Sequence, residues 1–187
     1  MKHVYFLRKL HILWNILNQK ANKYKQPKYK KEHTRKEFLQ RIENAKSCIY
    51  MFGLKFPNYF TNENKIYTSL KHLEKKNPNV KVKIFVPDIR VIRKIEKLGI
   101  YPHNHNNTRK NIHKLQDFKE DFEKLNIEII EYHKFIPFGF SAIDIDTNNS
   151  FMHISKVKKG EYIKDSEYFS IKNDKNISKI ILYIIKN

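Results

Sequence analysis

Residues 138–155, FGFSAIDIDTNNSFMHIS, hold two apolar runs on either side of Asp146, Thr147, Asn148 and Asn149. Apolar runs joined by a cluster of turn-forming residues read as a β-hairpin. Strands are therefore expected over 138–145 and 150–155. Successive side chains on a strand alternate faces, so residues two apart point the same way. Gly139 then shares a face with Ser141, Asp144 with Asp146, and His153 with Ser155.

This stretch resembles the active-site hairpin of the phospholipase D superfamily. That family carries H-x-K-x-x-x-x-D on one strand and G-S-x-N at the end of the next. Here Gly139 stands in the His place and Ser141 in the Lys place, while Asp146 keeps its spacing from Ser141. Ser155 stands where the family often has the Ser of G-S-x-N. In the family the His attacks phosphorus and the Lys neutralises phosphate charge. Glycine has no nucleophile and serine has no positive charge. The resemblance covers roughly residues 34–187 and includes the strand Ile127–Tyr132 and Pro137. It implies a phospholipase D-like domain with a degenerate motif, without the family's catalysis and without a cofactor or metal. Its ligand would contain phosphate, as a nucleotide or nucleic acid does. Ser141, Asp146, His153, Ser155 and His133 are the candidate ligand-binding residues.

An enzymatic reading stays open beside this one. Single-copy members of the superfamily pair two active sites across a two-fold axis, so the resemblance also allows a homodimeric phosphodiesterase or nuclease. Its candidates are His153 as nucleophile, Lys156 as phosphate binder, and Glu161 or Asp146 as their partner. The spacing from Lys156 to Glu161 fits the family, but His153 to Lys156 is one residue too long. A β-bulge would have to absorb the extra residue.

The 187 residues suit one domain with a substantial core. There are 38 Lys plus Arg against 19 Asp plus Glu, a formal net charge of +19. Such a balance favours a polyanionic partner. Lysine greatly outnumbers arginine, and Asn and Ile are abundant, which is also what an AT-rich coding sequence gives. Cys48 is the only cysteine, which excludes an intrachain disulfide and fits a reducing, cytoplasmic setting. The longest apolar run, Ile180 to Ile185, is far below the ~20 residues of a membrane span.

Residues 4–18 carry Leu7, Leu10, Trp14 and Leu17 at helical spacing. They would pack on the main domain or on a partner chain, in which case the protein is an interaction scaffold. Membrane-surface contact is the less favoured use of the same face. Residues 19–33 read as a basic linker, with Lys23, Lys25, Lys28, Lys30 and Lys31 interleaved with Tyr24 and Tyr29. That mixture can hold single-stranded nucleic acid. Thr34 and Glu37 form a capping box that starts the globular part. Two domains of organisation follow, 1–33 and 34–187, and the first is expected to be removable without unfolding the second.

Further on, strands are expected at 47–52, 80–86, 127–132 and 167–171. Helices are expected at 63–76, 89–98, 108–125 and 174–186. Helix–strand alternation up to residue 132 and clustered strands afterwards predict an α/β fold, a mixed sheet with helices on both faces. Arg90, Arg93, Lys94, Arg109 and Lys110 surround the loop 100–107 and are candidate nucleic-acid contacts. His103, His105 and His113 lack a woven-in carboxylate and are read as turn and helix residues rather than metal ligands.

Overall fold

The computed structural model describes residues 8–9, 11–13, 15–16, 19, 30–53, 65–97, 124–136, 138–156 and 168–186. Helix α1 (Lys30–Glu43) leads into strand β1 (Cys48–Phe52), then α2 (Lys65–Lys76), β2 (Lys81–Pro87) and α3 (Ile89–Lys97). Strands β3 (Ile127–Tyr132), β4 (Phe138–Ile143), β5 (Phe151–Lys156) and β6 (Tyr168–Lys172) follow, and α4 (Lys175–Lys186) ends the chain. The six strands form one sheet in the order β3-β2-β1-β4-β5-β6. β1 and β2 pair in parallel, as do β2 and β3. From β1 to β6 the pairing is antiparallel. The mixed sheet expected from the strand clustering is thus observed.

Alternation along the strands builds two clusters. Ile49, Met51, Val82, Ile84, Val86, Ile127, Ile143 and Phe151 join Phe38 and Ile42 of α1 and Ile66, Leu70 and Leu73 of α2. Cys48, Phe52, Phe85, Phe140, Ala142, Met152 and Ile154 join Ile177, Ile180, Ile181 and Ile184 of α4. Those four isoleucines recur at the spacing of one helix face. Asp174 caps α4, its Oδ1 accepting from the N–H groups of Asn176 and Ile177 at 3.1 Å each.

Two expectations are corrected. The capping box does not start a helix at Thr34, because α1 already runs through that position from Lys30. Glu37 instead pairs with Lys172 of β6 at 2.6 Å and with Arg41 at 3.6 Å. Strand β4 stops at Ile143 rather than 145, because Asp144 turns to φ 50°. Residues 8–9, 11–13, 15–16 and 19 are helical, and Leu13 is fully buried in the α4 cluster, with Ile12 and Ile16 packed against it. The expected helix over 108–125 and the loop 100–107 lie outside the described residues, apart from 124 and 125.

Candidate functional site

The pairing register places each residue of the hairpin. Gly139, in the place of the family's His, pairs with Ser155 and is buried. It lies one position beyond the Phe52–Phe140 pair, at the sheet end where β1, β2 and β3 finish. Ser141, in the Lys place, sits deeper. It faces Met51 on one side and His153 on the other, and His153 in turn faces Ser170. A polar row Ser141–His153–Ser170 therefore crosses three strands. The Phe38 ring of α1 covers it, 5.9 Å from the His153 ring.

His153 is a neutral imidazole in this setting. Burial pushes it down to about 4. The Ser170 hydroxyl lies 3.5 Å from Nδ1, at the limit of a hydrogen bond. The register of β5 on β4 runs unbroken from Phe151 to Lys156. No bulge interrupts it, so positions 153 and 156 belong to opposite faces. The His153–Lys156 arrangement that the enzymatic reading needs is not formed there. Glu161 lies outside the described residues.

Asp146, the residue that keeps the family's spacing, is at the other end of the sheet. Its carboxylate accepts from the Ser47 hydroxyl at 2.7 and 2.6 Å and lies 3.4 Å from Cys48 Sγ. Burial raises its carboxyl, but the Ser47 and Cys48 bonds outweigh this and hold it below the usual range. Asp144 turns away from the strand and accepts from the backbone N–H of Lys46 at 3.0 Å, Ser47 at 2.8 Å and Cys48 at 3.3 Å. The two carboxylates clamp the entrance of β1. The shared face that strand alternation implies for them does not apply, since the strand has already ended. Among the described residues, no group of three or more His, Cys, Asp and Glu could hold a metal ion.

His133 lies at the Gly139 end, just past β3, and it has a partner that the sequence reading missed. Its Nδ1 is 2.7 Å from Oδ2 of Asp88, just past β2. Arg90 Nε reaches the same oxygen at 2.8 Å. The Val91 N–H donates to Asp88 Oδ1 at 2.8 Å, so Asp88 is the N-cap of α3. A Pro-Asp step between a strand and a helical pattern is the signal for that cap. The carboxyl ends of parallel strands are where open α/β sheets hold ligands. Arg90, Arg93, Lys94 and Lys97 are exposed on α3.

The site residues thus fall into separate places. Ser141 and His153 meet. Ser155 and His133 belong to the Gly139 end, and Asp146 belongs to the opposite one. Lys30 and Lys31 lie in α1. Lys23, Lys25, Lys28, Arg109, Lys110, His103, His105 and His113 lie outside the described residues.

A sheet of this order, with parallel strands on one side of β1 and an antiparallel hairpin on the other, is a mixed α/β fold. The structure is similar to NucT from Helicobacter pylori, with a TM-score of 0.51 at 16% identity, covering 85% of this chain and 89% of that one. This likeness concerns the fold alone. It is also similar to TrmBL2, an archaeal chromatin protein, with a TM-score of 0.45 and 13% identity over 83% of this chain and 49% of that one, too distant to carry an argument. The chain spans about half the length of that second protein. No protein-family model matches the chain, and no curated protein matches it by sequence.

Proposed function

We propose that the chain is a phospholipase D-like binding module that recognises a phosphate-containing ligand, nucleic acid before free nucleotide, without covalent catalysis. The observation that carries this reading is the pair Gly139 and Ser141. The family's reaction needs a nucleophile and a cation under one phosphate. A buried glycine and a serine facing a neutral His153 supply neither. A domain without those groups can still recognise phosphate through hydrogen bonds and charge.

The net charge of +19 supports a polyanion as the ligand. Exposed Arg90, Arg93, Lys94 and Lys97 place part of that charge on one short helix. Nucleic acid is favoured over a free nucleotide because a chain of phosphates uses dispersed cations together.

The test is a phosphodiesterase assay on bis-p-nitrophenyl phosphate and on DNA. No turnover above a buffer control is expected. Turnover by the wild type that disappears in His153→Ala would overturn the non-catalytic reading.

A further inference from the structure

Asp88 is 7% exposed, yet two largely exposed side chains converge on it. Arg90 is 74% exposed and His133 58%. Burial would raise the Asp88 carboxyl, but the Val91 N–H, Arg90 and His133 outweigh it and hold it down at about 2. The carboxylate is therefore ionised, and the nitrogen facing it, His133 Nδ1, carries the proton. Nε2 is then left toward solvent, with no partner among the described residues. Arg90 NH2 lies 3.4 Å from His133 Nδ1. Both are donors, so this is a close approach of guanidinium and imidazole rather than a hydrogen bond.

One buried carboxylate thus fixes two exposed heads side by side. Along α3 the exposed residues Arg93, Lys94 and Lys97 follow Arg90 at the spacing of one helix face. Seven residues of helix rise about 10 Å. The stripe is therefore long enough to meet more than one phosphate of a nucleic-acid backbone. The cluster sits at the same sheet end as Gly139, two strands away, or roughly 10 Å at ordinary strand spacing.

The geometry points to a phosphodiester anchor at Arg90 and His133, held in place by Asp88, that grips one backbone phosphate of a nucleic acid while Arg93, Lys94 and Lys97 follow its neighbours. This rests on the phosphate-binding reading above. Arg90 keeps its terminal N–H groups for the phosphate, and the exposed His133 imidazole lines the same spot. Asp88 is a positioning residue. A surface arginine ordinarily loses rotamer freedom on binding, and the clamp has already ordered this one.

The test is fluorescence anisotropy of a short fluorescein-labelled single-stranded oligonucleotide with the full chain and its variants at low salt. Asp88→Asn makes the protein more positive and keeps a good N-cap residue. Charge alone would tighten binding, whereas the anchor predicts a loss of roughly tenfold, the size of one charge-assisted bond. Arg90→Lys, which keeps the charge but not the planar fork, and His133→Gln are expected to weaken binding comparably. Lys75→Gln, at an exposed position of α2, should change it less than about twofold.

Binding by Asp88→Asn as tight as the wild type's, or tighter, overturns the anchor and leaves the general reading standing. Wild-type protein that does not bind overturns both. If circular dichroism shows Asp88→Asn unfolded, Arg90→Lys and His133→Gln decide. Losses no larger than that of Lys75→Gln overturn the anchor.

Discussion

Ser141 and His153 face each other across β4 and β5, and His153 in turn faces Ser170 of β6. A serine beside a neutral imidazole under Phe38 is a packing arrangement. Its energetic signature is a pH-dependent stability. The folded state holds His153 near 4, while the unfolded chain titrates near 6.5. As pH falls below about 6.5, the unfolded state takes up a proton that the folded state refuses, so stability drops until about pH 4. Between pH 7.5 and 5 this group should cost about 1–2 kcal/mol. Urea midpoints of wild type and His153→Leu at the two pH values check it. An equal pH slope in both proteins would contradict the assignment.

Asp144 serves three backbone amides from a left-handed backbone position. Asp144→Ala loses all of those bonds and adds strain, and should cost about 2–4 kcal/mol. Asp144→Asn tolerates the same backbone and keeps one acceptor oxygen, so about half that loss is expected. Urea denaturation measures both. Equal losses in the two variants would show that one neutral acceptor oxygen recovers none of the clamp.

Much of the fold is legible because its signals are local. The apolar runs at β1, β2 and β3 and the turn residues Asp146 to Asn149 locate their elements to within a few residues. What the sequence hides is tertiary. Strand alternation puts Asp144 and Asp146 together only while the strand lasts, and nothing in the sequence shows that it ends at Ile143. Thr34 and Glu37 have the spacing of a cap, yet Glu37 answers Lys172, far along the chain. The hairpin that holds Gly139, Ser141 and His153 was legible. Asp88 was not, because its partners Arg90 and His133 meet it only once β2 and β3 lie side by side.

Leu13 decides whether the first 33 residues can be removed. It is 0% exposed and packs with Ile177, Ile181 and their neighbours. Leu13→Ala should cost about 2–5 kcal/mol. Deleting residues 1–33 should lower the melting temperature markedly, the reverse of the sequence-based expectation. A truncated chain that melts with the full one would contradict the packing.

Cys48 should be inert in the folded protein. Burial first, and the charge of Asp146 second, push its thiol up to about 11. Iodoacetamide at pH 8 should leave it unlabelled in native protein and label it in urea. Rapid native labelling would show that the β1 entrance opens.

The central claim is recognition of phosphate without its cleavage. Anisotropy of a labelled single-stranded oligonucleotide against salt, with the oligonucleotide recovered afterwards and sized, tests it most directly. Binding is predicted at low salt and should weaken steeply as salt rises. The slope should be roughly −0.7 per phosphate contact, with several contacts, and the oligonucleotide should be recovered uncut. No binding at ~50 mM salt, or recovery of cleaved product, would contradict the account.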